Sequence, residues 1–327
     1  MPRALITGIA GQDGSYLAEQ LLSEGYEVVG LDRFPQAADA SNLVSIADQF
    51  DYVRGDLRDP KSLAEAVSNS GASEVYHFAS PTFVPESWDN PVATVEAIVG
   101  STARLLTAAL STRSRPRIWL SASSEVFGDT DVCPQNEFSS MRPRSPYGVA
   151  KLAALGLVRT LRHHHGLFAC SGILYNHESP RRPQHFLSRK VTRGAAAIAL
   201  GQQDELVLGD LDAVRDWSDA RDIVRGAALA MRADEPRDYV FASGRGRTVR
   251  ELVQVAFTAA GIGDRVANSI RVNPDLVRRS EAIQSVGDSS LAERELGWRS
   301  AISFEEMLGA MVAVDLVELG KAEFSSE

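Results

Sequence analysis

The chain has 327 residues, of which 44% are hydrophobic and 24% charged, and its formal net charge is −9. This length supports a sizeable core in one extended domain or in two interlocked ones. The composition excludes a disordered, collagen-like or disulfide-rich chain, and the acidic balance excludes a general positive coat for nucleic acid. Only two cysteines occur and neither lies in a Cys/His cluster, so we expect a reducing compartment and no metal site.

No apolar run approaches the length of a membrane helix, and the first residues lack the features of a signal peptide. We therefore expect a cytoplasmic protein with no membrane partner and no nucleic-acid partner.

The first half of the chain alternates strand and helix signals. Short apolar runs predict strands, and the helical spacing of apolar residues between them predicts crossover helices. This alternation is typical of a Rossmann-type, doubly wound parallel α/β sheet. The predicted strands are Ala4–Thr7, Glu27–Leu31, Asp51–Arg54, Glu74–Phe78, Arg117–Ser121 and Phe168–Leu174.

Beyond residue 175 the alternation breaks. A Pro/Arg-rich loop precedes a predicted helix that ends at Leu200, and another helix is predicted over Arg247–Ala260. No linker separates the halves, so we expect a smaller C-terminal domain interleaved with the first. The predicted boundaries are 1–175 with about 214–242 for the first domain, and 176–213 with 243–327 for the second.

A glycine-rich turn follows the first strand and opens the first helix. Gly8, Gly11 and Gly14 form GxxGxxG, and glycines here let the backbone turn tightly and approach a pyrophosphate. The helix N-terminus adds N–H groups and the positive end of its dipole. Asp32, after the second strand, favours NAD because its carboxylate can bind ribose hydroxyls and repels a 2′-phosphate. The neighbouring Arg33 would attract that phosphate, so NADP is the alternative.

Tyr147 and Lys151 form YxxxK near the start of a predicted helix, and this spacing puts both side chains on one face. A lysine ammonium about 4 Å away would lower the pKa of a tyrosine by roughly three units at an effective dielectric of 20. The tyrosine would then serve as a general base near neutral pH. Such a pair is common by chance, but behind a glycine fingerprint it predicts hydride-transfer chemistry.

Several separated motifs resemble the extended short-chain dehydrogenase/reductase family over nearly the whole chain, and within it the GDP-mannose 4,6-dehydratases most closely. The motifs are GIAGQDGSYLAE at residues 8–19, SPYGVAK at 145–151, NHESPRR at 176–182, LGDLDA at 208–213, RDW at 215–217 and ELGW at 295–298.

The resemblance implies a nucleotide-sugar 4,6-dehydratase that turns GDP-mannose into GDP-4-keto-6-deoxymannose with a bound, regenerated nicotinamide cofactor. It assigns Ser123 to the reacting sugar hydroxyl, and Glu125 to the proton on C5 and the leaving 6-hydroxyl. Tyr147 and Lys151 serve hydride transfer. UDP-glucuronate decarboxylases share the Ser-Glu segment, so another epimerase or decarboxylase acting through a 4-keto intermediate is the alternative. A catalytically silent protein is disfavoured because Tyr147, Lys151 and Glu125 are all present.

The resemblance also implies which residues bind ligands, with NAD(P) in the first domain and the nucleotide sugar in the second. Asp56 follows the third strand, where it could contact the adenine. The implied cofactor contacts are Gly8, Gly11, Gln12, Asp13, Gly14, Asp32, Arg33, Asp56, Leu57, Ala79, Tyr147, Lys151, His177 and Arg182. The implied substrate contacts are Thr82, Ser123, Asn176, Lys190, Arg215, Arg278 and Glu281.

Two segments depart from the family pattern. Pro81 and Phe83 stand where the family has a glutamine and a histidine, beside the cofactor and sugar. The run Asp32-Arg33-Phe34 replaces the family's paired arginines and precedes a shorter loop. In the family that loop helps to build a tetramer, so we expect a homodimer here.

Overall fold

The computed structural model describes residues 1–276 and 284–324. The strands are β1 (Arg3–Thr7), β2 (Glu27–Asp32), β3 (Asp51–Arg54), β4 (Glu74–His77), β5 (Arg117–Ser121), β6 (Ala169–Leu174), β7 (Asn176–Glu178), β8 (Leu206–Leu208), β9 (Val214–Asp219), β10 (Asp238–Phe241), β11 (Gly246–Thr248), β12 (Ile270–Val272) and β13 (Gln284–Ser285).

The α-helices are α1 (Gln12–Ser23), α2 (Pro60–Ser70), α3 (Glu86–Asp89), α4 (Pro91–Val95), α5 (Ser101–Ser111), α6 (Pro146–His165), α7 (Leu187–Ala199), α8 (Ala220–Arg232), α9 (Val249–Ala259), α10 (Val266–Ser269), α11 (Ser290–Leu296) and α12 (Phe304–Phe324). A π-helical turn, Glu96–Gly100, joins α4 to α5, and a 3₁₀ turn, Ser124–Val126, follows β5.

The chain forms two compact units. Unit 1 comprises Met1–Leu174, Ala220–Phe241 and Asp288–Arg299. Unit 2 comprises Tyr175–Asp219, Ala242–Gly287 and Ser300–Glu327.

Unit 1 is built on a seven-stranded sheet in the order β10-β6-β5-β4-β1-β2-β3. Every neighbouring pair is parallel, for example Leu5 opposite Val29 on one side and Val75 on the other. The Rossmann-type prediction is therefore confirmed. The sequence predicted six of these strands, and β10 adds the seventh beside β6.

Helices cover both faces of this sheet. Successive side chains of a strand point to opposite faces, and Leu5 accordingly packs in one core cluster while Ala4 and Ile6 pack in the other. The first cluster contains apolar residues of α2, α5 and α6, and the second contains those of α1 and α8. Because both faces are buried, central strands such as β1 and β6 read in sequence as apolar runs, whereas the edge strand β3 is largely exposed.

Unit 2 is smaller and mixed. β9 pairs with β11 antiparallel and with β13 and β7 in parallel, while β8 pairs with β12. The core lies among α7, α9 and α12, where the Trp217 ring packs 5.8 Å from that of Phe304.

The two units differ from the predicted boundaries by one residue at Tyr175 and at Ala242, and by longer segments at two places. Residues 214–219 belong to unit 2 because β9 pairs there with three other strands. Residues 288–299 belong to unit 1. Trp298 anchors this segment, since its indole N–H donates to the Asp222 carbonyl at 2.7 Å and its ring packs against Phe241.

One helical run of the described chain, Pro91–Ser111, is long and apolar enough to cross a membrane by length and composition, with a mean hydropathy of 1.2. This run corrects the expectation that no apolar segment approaches the length of a membrane helix. Part of it is buried inside the protein, and Ile98, Leu105 and Ala109 lie in the core of unit 1. A core helix meets the same test of length and composition, so the run carries no membrane assignment.

Candidate active site

The glycine turn of unit 1 forms a cradle lined by backbone. Gly8 has φ +73°, and a Cβ there would lie 2.7 Å from the amide nitrogen of Ala79. A Cβ on Gly14 would collide with the Gly8 carbonyl oxygen. Gly11 caps α1 without a side chain and donates its N–H to that same oxygen at 3.0 Å. Only glycines leave this surface open, which fits the close approach of a dinucleotide pyrophosphate.

Two polar residues of the fingerprint lie in the first turn of α1. The side-chain amide of Gln12 donates to the Asp13 carboxylate at 3.1 Å, and Gln12 is buried. The Asp13 carboxylate also acts on the pKa of Lys151, which it raises. The first turn of α1 and Lys151 therefore influence each other electrostatically.

Asp32 lies at the end of β2, directly beside the glycine turn. One carboxylate oxygen accepts the Ala10 N–H at 3.0 Å and the other accepts the Arg33 N–H at 2.7 Å. The Arg33 side chain is exposed. The structure thus holds the residue predicted to favour NAD next to the one predicted to attract a 2′-phosphate.

Asp56, predicted to contact the adenine, is held by a neighbour. Arg58 donates from Nη2 to the Asp56 carboxylate at 2.7 Å and lowers the pKa of that carboxyl to about 2. Leu57 offers its carbonyl to Arg104 at 3.2 Å. An adenine contact at Asp56 would therefore compete with Arg58.

The start of α6 is defined by its cap. The Ser145 hydroxyl accepts the Gly148 N–H at 3.0 Å, and Pro146 occupies the first helical position, where a missing N–H costs nothing. Tyr147 and Lys151 follow in the first two turns, and both are buried. The cap therefore fixes which residues of α6 lie over the end of β5.

Lys151 links α6 to the end of β5. Its ammonium donates to the Ser121 carbonyl at 2.8 Å and lies 5.7 Å from the centre of the Tyr147 ring. Only 4% of Lys151 is exposed, and burial lowers the pKa of its ammonium to about 8, against the opposing effect of Asp13. The lysine is thus mostly protonated at neutral pH, because its pKa of about 8 lies only slightly above that pH.

Ser123 and Glu125 follow β5 and lie against the same helix. The Ser123 hydroxyl caps the 3₁₀ turn by accepting the Glu125 N–H at 3.3 Å. A Cβ on Gly148 would lie 2.6 Å from the Glu125 carbonyl oxygen, so this backbone packs directly on the first turn of α6. The structure therefore brings the Glu125 segment next to Tyr147.

The loop after β4 carries the remaining predicted contacts of unit 1. Ala79 donates its N–H to the Thr7 carbonyl at 3.0 Å and lies against Gly8. Thr82 is exposed in this loop, next to Pro81 and Phe83.

His77, at the end of β4, is a polar residue of this region that sequence reasoning missed. Its Nδ1 lies 2.8 Å from the Thr7 hydroxyl and its Nε2 lies 3.2 Å from the Ser101 hydroxyl. Burial, together with the charge of Lys151, lowers the pKa of His77 to about 3. A histidine within an apolar strand was the available signal.

Unit 2 carries the other predicted contacts. Asn176 and His177 lie on β7, opposite Trp217 and Ser218 of β9. The His177 ring N–H donates to the Tyr175 carbonyl at 2.8 Å, which orients the imidazole. Arg215 lies on the same β9 and donates to the Val214 carbonyl at 2.8 Å. The structure thus gathers Asn176, His177 and Arg215 on two paired strands.

Two further cations of unit 2 follow β7. Arg182 forms a 3.1 Å ion pair with buried Glu178 and stacks 3.6 Å from the centre of the Phe186 ring. Lys190, on α7, donates to the Val207 carbonyl at 2.8 Å. The predicted contacts Arg278 and Glu281 lie outside the described residues.

Comparison with known proteins identifies the family. A family model described as GDP-mannose 4,6 dehydratase matches residues 5–311. The GDP-mannose 4,6-dehydratase of Yersinia enterocolitica is 38% identical to this chain, covering 97% of it and 94% of the relative.

Solved structures agree with this result. DesIV, a dTDP-glucose 4,6-dehydratase from Streptomyces venezuelae with NAD and TYD bound, superposes with a TM-score of 0.86 at 28% identity, covering 98% of both chains. RMD from Pseudomonas aeruginosa, complexed with NADPH, shares the fold with a TM-score of 0.83 at 24% identity, covering 97% of this chain and 100% of that one. The resemblance found in the sequence is confirmed, and the chain belongs to the GDP-mannose 4,6-dehydratase family.

Proposed function

We propose that this protein is a nucleotide-sugar 4,6-dehydratase that converts GDP-mannose into GDP-4-keto-6-deoxymannose. The observation that carries the proposal is the packing of the Glu125 segment against the first turn of α6, beside Tyr147 and Lys151. This arrangement combines a residue pair for hydride transfer with a carboxylate for elimination, as net removal of water requires.

The chemistry assigns one task to each side chain. A nicotinamide held by the glycine cradle supplies an acceptor and later a donor of hydride. Tyr147 takes the proton of the 4-hydroxyl, and the Lys151 ammonium favours the tyrosinate. Ser123 hydrogen-bonds the reacting hydroxyl. Once C4 is a ketone, the C5 proton is acidic; Glu125 removes it and donates a proton to the leaving 6-hydroxyl.

We propose NAD as the preferred cofactor, with NADP as the alternative. The Asp32 carboxylate, held beside the glycine turn by Ala10, supports this choice because it repels a 2′-phosphate. The glycine turn of unit 1 would bind the cofactor pyrophosphate, and the family resemblance alone assigns His177 and Arg182 as further cofactor contacts.

Unit 2 would bind the nucleotide sugar. Arg215 and Lys190 supply positive charge for a pyrophosphate within an acidic protein, and Asn176 supplies a hydrogen-bonding amide. Arg278 and Glu281 complete the proposed set, with Glu281 accepting the guanine N–H donors.

We also propose a cytoplasmic homodimer. Support for the homodimer comes from exposed apolar side chains on α3, α4 and α6, helices that pack on one another: Val92 is 70% exposed and Val149 is 50% exposed, and Trp88 and Val95 are also exposed. We call these four side chains the apolar face. A second copy of this chain would cover the face through a two-fold contact.

The decisive experiment incubates the protein and cofactor with GDP-, UDP-, dTDP- and CDP-sugars and weighs each product. A GDP-mannose product lighter by one water is expected. Loss of one carbon dioxide would establish decarboxylation instead, and a product of unchanged mass but new stereochemistry would establish epimerisation.

A further inference from the structure

Asp216, on β9 of unit 2, has a buried carboxylate that none of the proposed catalytic steps uses. It is only 1% exposed. One carboxylate oxygen accepts the Ser243 N–H at 2.8 Å and the Ser243 hydroxyl at 2.6 Å. The other accepts the N–H groups of Gly244 at 2.9 Å and Gly287 at 3.3 Å.

These four donors are uncharged, and three of them belong to the backbone. Burial raises the pKa of Asp216, and the hydrogen bonds from Ser243, Gly287 and Gly244 act in the opposite direction. A carboxylate buried in this way is costly unless its lone pairs are satisfied. The buried carboxylate is therefore stable only while the backbone at Ser243–Gly244 and at Gly287 stays within hydrogen-bonding distance.

The donors come from two segments distant in sequence. Ser243 and Gly244 precede β11, and Gly287 follows β13. β9 pairs with β11 and β13 over its first half and with β7 over its second half. Asp216 lies at the junction of the two halves. Its carboxylate therefore accepts hydrogen bonds both from the segment that precedes β11 and from the segment that follows β13.

The neighbours of Asp216 on β9 are predicted substrate contacts or their partners. Arg215 precedes it, and Trp217, which follows it, pairs with Asn176 of β7. Successive strand side chains point to opposite faces, so Asp216 lies on the face opposite Arg215.

We propose that Asp216 is a positioning residue for the nucleotide sugar: its carboxylate holds the segments at Ser243 and Gly287 against β9 and thereby fixes Arg215 and Asn176. The inference rests on the proposed function, because that function makes Arg215 and Asn176 substrate contacts.

The test is Asp216→Asn, which keeps the shape but turns one acceptor into a donor that faces N–H groups. We expect the Kd for GDP and the KM for the nucleotide sugar to rise about 10- to 100-fold, the effect of losing hydrogen bonds to a charged group. The kcat at saturation and the Kd for the cofactor should stay within about threefold of wild type.

Two variants accompany it. Asp315→Asn alters another buried carboxylate of unit 2, one paired with Arg189 and outside the sheet, and should lower stability without changing the Kd for GDP. Ser243→Ala removes one donor of four, keeps the backbone donors, and should raise that Kd about threefold to tenfold. This milder variant carries the test if Asp216→Asn does not fold.

The outcomes separate the two proposals. Wild-type affinity for GDP in both Asp216→Asn and Ser243→Ala overturns the role of Asp216 and leaves the dehydratase standing. A wild-type protein that binds GDP but dehydrates no nucleotide sugar overturns the proposed function, while the GDP titrations still report on Asp216. An equal loss of GDP affinity in Asp315→Asn would mark the effect as general destabilisation and overturn the inference.

Discussion

In the proposed mechanism, Glu125 is the residue that separates dehydration from simple oxidation. Tyr147 and Lys151 would begin hydride transfer from C4, whereas removal of the C5 proton would need the Glu125 carboxylate. Glu125→Gln should therefore reduce its bound cofactor when GDP-mannose is added and then stall. We expect water loss to slow by about 10²–10⁴, the usual cost of losing a general acid–base group. Absorbance of the reduced cofactor and product mass measure the two steps separately.

The matched control for this variant is Asp131→Asn, at an exposed carboxylate in the loop after the Glu125 turn. It should dehydrate at the wild-type rate. Glu125→Gln acting at that same rate, with C5 deuterium exchange intact, would show that another group is the base.

The burial of Lys151, the proposed partner of Tyr147 in hydride transfer, carries a cost to the stability of the fold. Its pKa of about 8 lies below the ordinary 10.5, so between these values the unfolded chain holds a proton that the folded protein does not. Below pH 8 both states are charged and the burial penalty is fully present. Lys151→Met should therefore abolish hydride transfer yet stabilise the fold by roughly 1–3 kcal/mol at pH 7.

Denaturant unfolding of wild type and Lys151→Met across pH 6–10.5 measures this prediction. The stability gain should shrink as the pH rises through about 8 toward 10.5, because the wild-type lysine then loses its charge. A gain that grows with pH, or a variant that still reduces its cofactor at the normal rate, would contradict the assignment.

We propose that two adjacent side chains, Asp32 and Arg33, determine the choice between NAD and NADP. The wild-type protein should bind NAD more tightly than NADP because the Asp32 carboxylate repels a 2′-phosphate. Arg33→Ala should weaken NADP about tenfold or more and leave NAD unchanged, since an exposed guanidinium meets only the extra phosphate. Titration of cofactor-free protein with both dinucleotides decides the matter, and tighter binding of NADP to wild type would refute the role of Asp32.

The sequence predicted which site residues lie close together within one motif, but not which residues distant in sequence form hydrogen bonds with each other. Tyr147 and Lys151 are four residues apart on one helix, so their proximity follows from helix geometry alone. Asp216 receives hydrogen bonds from Ser243 and Gly287, which only the folded sheet brings close. The spacing of these residues in the sequence does not predict their hydrogen bonds.

At the scale of elements, the β1–α1 turn depends on the absence of a side chain at Gly8. Gly8→Ala adds a Cβ that would lie 2.7 Å from the Ala79 nitrogen, at a residue with φ +73°. Gly25→Ala is the control, because Gly25 has φ +82° but open space around its Cβ position. Both substitutions impose backbone strain of about 1 kcal/mol or more.

Only Gly8→Ala should also weaken cofactor binding, by about tenfold or more, because the turn must shift where a pyrophosphate approaches. Calorimetric titration with NAD, alongside thermal unfolding, distinguishes strain from the loss of the cradle. Equal NAD affinity in the two variants would argue against a dinucleotide cradle at this turn.

Central strands of the first half could be predicted because burial on both faces makes them apolar runs. The edge strand β3 is largely exposed, and its prediction depended on the alternation of strands and helices around it. Other elements lacked such a signal. β10 offers only Tyr239, Val240 and Phe241 as an apolar run, and its place beside β6 depends on long-range pairing. The helix α12 was not predicted, and its apolar residues do not form a single stripe of the kind that marks an amphipathic helix.

We expect the apolar face to form the interface of a homodimer. Val92→Asp should convert a dimer into a monomer because it replaces the most exposed apolar side chain of that face with a charge. Val44→Asp, at a valine elsewhere in unit 1 that is 62% exposed, should leave the mass of the particle in solution unchanged. Light scattering at several protein concentrations measures both; a monomeric wild type, or a dimeric Val92→Asp, would rule out this interface.

Unit 1 is built from three segments that are far apart in the sequence, so its fold cannot be completed early in synthesis. Its sheet lacks β10 until residue 241 has left the ribosome, and the Phe241 ring lacks its Trp298 neighbour until residue 298 has followed. In a nascent chain of the first 174 residues, one edge of β6 is therefore unpaired because β10 is absent. The apolar surface on which α8 packs in the folded protein is then exposed to solvent. Unit 1 therefore cannot be produced as one contiguous segment of the sequence, and we expect its fold to be completed only after residue 298 has been synthesised.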